Sequence, residues 1–284
     1  MERKTVRGKT FDEERALYHA VDMDVVECNF EGPQDGESAL KESSDIVVRD
    51  CTFSLRYPFW HVTRFSIDRI TMNETCRAPI WYAKEGTLSN CEIKGVKAIR
   101  ECKDIKISNC TIDSPEFGWK CEGLRLENVT LNSEYIFFES RHLHLENVTM
   151  KGKYSFQYVE GGYMKNCDFD TKDAFWHCKD LTIKNCTIKG EYLGWYSDGL
   201  TLKNCRIIGT QPLCYCKNLK LINCTMEECD LSFEYSDVEA EITGRINSVK
   251  NPRSGKIVCD EVGEIIRGDE VMPCSGEVVI RKKG

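Results

Sequence analysis

Apolar and polar residues alternate along this chain in short runs. In residues 181–199, Leu181 and Ile183 flank Thr182, and Cys186 and Ile188 flank Thr187. A period of two marks short β-strands; a helix would space its apolar residues three and four apart. The run then starts again. Leu200-Thr201-Leu202-Lys203-Asn204-Cys205 follows it, and Gly162-Tyr163-Met164-Lys165-Asn166-Cys167 precedes it. Asn90, Asn109, Asn128, Asn147, Asn166, Asn185, Asn204 and Asn223 keep one register, 19 residues apart. A fixed period means one structural unit copied and stacked. The pattern predicts an all-β chain, a single-stranded right-handed parallel β-helix with three short strands per coil and about twelve rungs.

Lys184-Asn185 forms the corner between the first two strands, where asparagine tolerates the left-handed conformation a tight corner requires. Stacked amides would then bond from coil to coil as an asparagine ladder. Leu193–Ser197 is the expected third strand. Residues 1–22 read as a partial first rung or cap, 23–237 as the helix proper, and 238–284 as a C-terminal cap of short strands and loop.

Composition narrows the function classes. A net charge of −7, with 30% charged residues, argues against a nucleic-acid partner, which wants a basic stripe. No apolar run is long enough to span a membrane or resembles an export signal, so the cytoplasm is the expected location. The 17 cysteines include no Cys-x-x-Cys pair, and most keep the repeat register. They read as reduced core residues rather than disulfide or metal ligands. No motif calls for a cofactor.

The third strand carries the unusual columns. One contains all five tryptophans: Trp60, Trp81, Trp119, Trp176 and Trp195. The next column runs through His19, Glu42, His61, Tyr82, Glu101, Lys120, Glu139, Tyr158, His177, Tyr196, Tyr215 and Glu234. So polar a column cannot be core. Strict alternation then turns the tryptophans inward, and turns Phe59, Ile80, Phe137, Phe156, Phe175 and Leu213 outward. Such a face, rich in rings and carboxylates, suits a carbohydrate-like ligand held by Arg100, Tyr82, Phe156, Tyr158, Phe175, Tyr196 and Tyr215. Glu101 and Glu139 are two rungs apart, roughly 9–10 Å by strand spacing, near the range for paired glycosidase carboxylates. With Lys120 between them and His177 beyond, they form a candidate acid–base set. His19, Glu42 and His61, on successive rungs, are a candidate metal set.

The Leu-x-Leu-x-Asn-Cys coils over residues 23–237 resemble the pectin-lyase-like right-handed parallel β-helix superfamily. Its polysaccharide lyases and hydrolases place their site on the outer face of the strand matching Leu193–Ser197. Gly36-Glu37-Ser38-Ala39-Leu40-Lys41-Glu42-Ser43 and Glu14-Arg15-Ala16-Leu17-Tyr18 more closely resemble the bacterial family called domain of unknown function 3737. The resemblance implies a carbohydrate ligand and a lyase or hydrolase if the chain is an enzyme. The alternative is a non-catalytic scaffold whose same aromatic face holds a protein, including a second copy of the chain.

Overall fold

The computed structural model describes residues 3–282. It divides into two compact units, Met1–Phe137 and Phe138–Gly284. Each is a parallel β-helix. In the second unit, Lys179–Lys184 pairs in parallel with Glu160–Lys165 on one side and with Thr201–Lys203 on the other. Ile183 lies opposite Met164 and Leu202 in that register. Leu181, Ile183, Cys186, Ile188 and Leu193 of one coil are all buried. Each large apolar side chain gains about 1.5–3 kcal/mol on burial, but only against the coils above and below.

The corners explain how so short a coil closes. Asp180, Asn185, Tyr192 and Tyr196 all have φ between 52° and 60°. Such left-handed residues are uncommon outside glycine. Here each bend is held by a bond to the next coil, as in Asn185 N–H to Lys203 O at 2.9 Å. The asparagine amides bond in series too. Asn185 Nδ2 donates to Asn166 Oδ1 at 3.3 Å, Asn204 to Asn185 at 3.2 Å, and Asn223 to Asn204 at 3.0 Å. In the first unit Asn128 donates to Asn109 at 3.2 Å, while Asn90 turns to Asp68 at 2.8 Å.

Coils outnumber the repeat. First strands begin at Lys4, Val21, Ser44, Thr63, Lys84, Lys103 and Arg125 in one unit. In the other they begin at Arg141, Glu160, Lys179, Thr201, Leu219, Asp237, Ser254 and Glu277. That is about fifteen coils among the described residues rather than about twelve. Lys4–Arg7 pairs in full with Val21–Val26. Beyond Val238 the asparagine register is lost but stacking goes on: Asp237–Ile242, Ser254–Cys259 and Glu277–Ile280 pair in parallel succession. Buried Val238, Ala240, Ile242, Ile257 and Cys259 carry the inward alternation there without the amide.

The third segment departs from strict alternation. In the first unit it is a two-residue strand, Phe59–Trp60, Ile80–Trp81 and Ile99–Arg100 pairing in register. In the second unit the matching residues form a tight turn, with Ser197 N–H bonded to Gly194 O at 3.2 Å. Phe175 and His177 bracket Trp176 with φ of 62° and 54°. Two left-handed residues re-aim the side chains, so alternation fails there. Phe59, Ile80, Phe137, Phe156, Phe175 and Leu213 point inward, all at most 2% exposed. This corrects their expected outward placement and removes Phe156 and Phe175 from any ligand-binding surface. Val62, Ala83, Cys102, Cys121, Val159, Cys178 and Ser197, one position after the outward column, are also inside.

The tryptophans are half-buried, and four of the five, Trp60, Trp119, Trp176 and Trp195, bond backbone carbonyls. Trp60 Nε1 donates to Ala78 O at 2.7 Å, Trp176 to Tyr192 O at 2.6 Å, and Trp195 to Gln211 O at 2.7 Å. Gln157 replaces an indole with an amide and does the same to Asp173 O at 3.1 Å. Each side chain therefore caps a corner carbonyl of the following coil. Trp195→Phe keeps the ring and loses the donor. It is expected to cost about 1–2 kcal/mol in a urea denaturation series, whereas Trp195→Gln should recover part of the loss.

Candidate functional site

The outward column sits at left-handed corners whose backbone N–H groups bond from one coil to the next. In the first unit, His19 N–H bonds Lys41 O at 3.0 Å, Glu42 N–H bonds Trp60 O at 2.8 Å, and His61 N–H bonds Trp81 O at 2.9 Å. The three residues thus occupy successive coils, but they do not converge. Glu42 accepts a hydrogen bond from the Tyr18 hydroxyl at 2.7 Å, and His61 stacks on Tyr82 at 4.8 Å. That hydrogen bond holds the Glu42 carboxyl below its ordinary range and pushes the Tyr18 phenol up. Among the described residues no group of three His, Cys, Asp or Glu side chains is placed to hold a metal. Coil spacing keeps the two histidines two rungs apart, and the carboxylate between them is engaged elsewhere.

Arg100 lies between the Trp81 and Trp119 rings, at 5.2 and 5.0 Å from their centroids. Its Nη1 donates to Glu116 Oε2 at 3.1 Å. Pairing and ring faces offset part of the cost of its burial, though its Nε is buried without a hydrogen-bond partner. Glu101 lies beside it, accepting from Trp81 Nε1 at 3.2 Å, with its carboxylate 3.6 Å from Arg100 Nε. Lys120 sits one coil beyond Glu101 at the next corner, exposed. The Glu101 carboxylate is thus part of a tryptophan–arginine packing group.

In the second unit the column becomes a row of stacked rings. Tyr158 and His177 are 5.0 Å apart with planes 5° from parallel. His177 and Tyr196 are 5.0 Å apart at 7°, and Tyr196 and Tyr215 are 4.8 Å apart at 15°. Tyr158 is 51% and Tyr196 45% exposed. The row ends at Tyr235, where a one-residue insertion puts a buried ring in place of Glu234. The Tyr235 hydroxyl accepts from Val271 N–H at 3.3 Å. Glu139 stands two coils from His177, and Tyr158 holds the coil between them: Glu139 N–H bonds Gln157 O, and Tyr158 N–H bonds Trp176 O. Both faces of the His177 ring are covered, leaving its edge toward solvent.

A second outward column, four residues earlier in each coil, carries no signal in the alternation. Tyr154, Asp173 and Tyr192 follow one another at its corners with φ of 48°, 52° and 57°. Asp173 stands on the coil between the two tyrosines and is 8% exposed. Loss of water raises its carboxyl above the ordinary value, partly offset by Lys172. The only clue in the sequence is an aspartate where the 19-residue register has tyrosines on either side.

Elsewhere the chemistry is quieter. Burial pushes the Cys51 thiol up to about 11 and the Cys76 and Cys229 thiols up to about 12, so none is a ready nucleophile. Two open hollows of about 410 Å³ each flank Lys220 and Glu239 on the first sheet of the second unit. Lys220, Glu239 and Lys256 are register partners there, an alternating charge ladder. Among the described residues no helix is long and apolar enough to cross a membrane.

No curated protein matches the sequence. A family model described as protein of unknown function (DUF3737) matches residues 4–279. Among solved structures, a surface adhesin of Streptococcus pneumoniae is similar with a TM-score of 0.58 at 9% identity, over 84% of this chain and 86% of that one. At that identity the likeness is one of fold. A mannuronan C-5 epimerase A-module of Azotobacter vinelandii matches with a TM-score of 0.42 at 9% identity, over 86% and 91% of the two chains. The catalytic domain of an alpha-1,3-glucanase matches with a TM-score of 0.44 at 12% identity, over 98% of this chain and 63% of that one.

Proposed function

From the premise that the chain belongs to the DUF3737 family, whose description assigns no activity, we propose that it binds a carbohydrate along the ring row of its second unit. The row Tyr158–His177–Tyr196–Tyr215 carries this reading. Because the rings cover one another's faces, they offer ring edges, phenol hydroxyls and an imidazole edge, repeated at coil pitch. A saccharide chain laid along the row meets hydrogen-bonding groups at regular intervals with apolar edges between them, a mixture that suits sugars. A purely apolar partner would leave those hydroxyls unpaired on docking.

The reading is binding without turnover. Glu101 is engaged by the Trp81 indole, and a tyrosine stands between Glu139 and His177 in their column. Calorimetric titration of a glycan panel tests the proposal. At least one oligosaccharide should bind, and the double substitution Tyr158→Ala/Tyr196→Ala should weaken it by at least about tenfold, as loss of two hydrogen-bonding contacts implies. Unchanged affinity in that variant would overturn the proposal. So would a wild-type dimer that Tyr158→Asp converts to monomer in sedimentation, since the face would then belong to a second copy of the chain.

A further inference from the structure

Asp173 is a carboxylate with no direct partner, although Lys172 next to it supplies some favourable charge. Among the described residues its carboxylate makes no hydrogen bond and no ion pair, although the residue is 8% exposed. The residue is largely covered, but its carboxylate oxygens are not sealed off, so a ligand can reach them. Its position is well fixed. The Asp173 N–H bonds Glu191 O at 3.0 Å, and its carbonyl accepts from Gln157 Nε2 at 3.1 Å. It stands in an outward column, with Tyr154 exposed on the coil before and Tyr192 half-buried on the coil after. The surroundings favour positive charge. Lys172 places its ammonium 5.6 Å from the centre of the Tyr192 ring, and its charge is already taken by Glu191 at 2.9 Å. With Lys172 and Glu191 balancing each other, Asp173 leaves one negative charge over between two phenol rings.

We propose that Asp173 is a specificity residue of the carbohydrate surface: it receives the protonated amine of an amino sugar, with Tyr154 and Tyr192 as the walls of the slot. The assignment rests on the carbohydrate reading above and narrows it from saccharides in general to those with a free amino group. A hydroxyl would satisfy the carboxylate's hydrogen bonding but not its charge. An ammonium satisfies both, and ring walls add their own attraction for a cation.

The test compares three tetrasaccharides by calorimetry at a pH where the amine is protonated: fully deacetylated glucosamine, N-acetylglucosamine and unmodified glucose. The wild-type protein should bind the amine-bearing oligomer at least about tenfold more tightly than the other two. Asp173→Asn, which keeps shape and removes charge, should abolish that preference by weakening the amine-bearing oligomer to the level of the other two. Equal binding of all three by the wild-type protein overturns the assignment but leaves the carbohydrate reading standing. So does a preference that survives Asp173→Asn. Binding of none of them counts against the ring row itself, and this assignment falls with it. Thermal unfolding guards against a merely structural role. A carboxyl whose folded pKa is raised costs stability once it ionises, so Asp173→Asn should melt at the same or a higher temperature. A lower melting temperature, with loss of both oligomers, would make Asp173 a structural residue and overturn the proposal.

Discussion

Phe156→Ala is expected to destabilise the protein by about 3–5 kcal/mol, the usual cost of emptying a buried aromatic site. The ring is 0% exposed, lies parallel to Phe175 at 4.6 Å and 1°, and packs at a tilt on Phe169 at 5.4 Å. Its loss leaves a void shared by neighbouring coils, which depend on one another for their stability. Urea denaturation followed by tryptophan fluorescence measures the effect. The comparison is a sharp one, because strict alternation puts Phe156 on the surface, where truncation would move stability by no more than about 0.5 kcal/mol. A loss below about 1 kcal/mol would return the ring to the outer face and undo the account of the left-handed corners. Tyr158→Ala, two residues on and exposed, is the matched control.

Gly190→Ala should cost on the order of 4 kcal/mol, combining strain at a forbidden backbone conformation with overpacking. Gly190 closes the second corner of its coil with φ of +153°, where L side chains are strained. A methyl there would stand 1.6 Å from Thr171 O of the preceding coil, and that oxygen belongs to backbone that cannot swing away. Relief requires parting the two coils, which breaks bonds such as Thr171 N–H to Lys189 O at 2.8 Å. Gly244→Ala separates the two contributions. That residue has φ of +86° but open space around it, so only the backbone term remains, about 1 kcal/mol. Melting temperatures of the two variants give the answer; equal shifts would mean that the coils yield where the packing says they cannot.

The stacked strands were legible in the sequence because they obey a single local rule. Leu181, Ile183, Cys186 and Ile188 alternate with polar residues, and the same order recurs in register over most of the chain. Where the backbone leaves the β region that rule has no purchase. Phe175, Trp176 and His177 read as an alternating run, yet left-handed conformations at the first and third reverse the faces. The indoles, expected in the core, turned out to cap corner carbonyls, which is why Gln157 can share their column. Beyond Val238 the asparagine marker disappears while Val238, Ala240 and Ile242 keep the inward rhythm. A reading keyed to the amide therefore stops early. Of the candidate site, Tyr158, His177, Tyr196 and Tyr215 were visible as a column. Their face-to-face stacking was not, because it depends on side-chain rotation at the corner. Asp173 was hidden because nothing in its own neighbourhood is unusual; only the tyrosines one repeat away on either side make it so.

The left-handed corner has a consequence for how such a surface changes over generations. At His61, Tyr82, Glu101, Tyr158, His177 and Tyr196 the main-chain amide holds the bend by bonding the next coil. What the side chain is made of is therefore nearly irrelevant to folding, as imidazole, phenol, carboxylate and ammonium at one structural position attest. Recognition can drift one lap at a time, by single substitutions that the interior never feels. The same scaffold can take on new surface chemistry without passing through an unfolded ancestor.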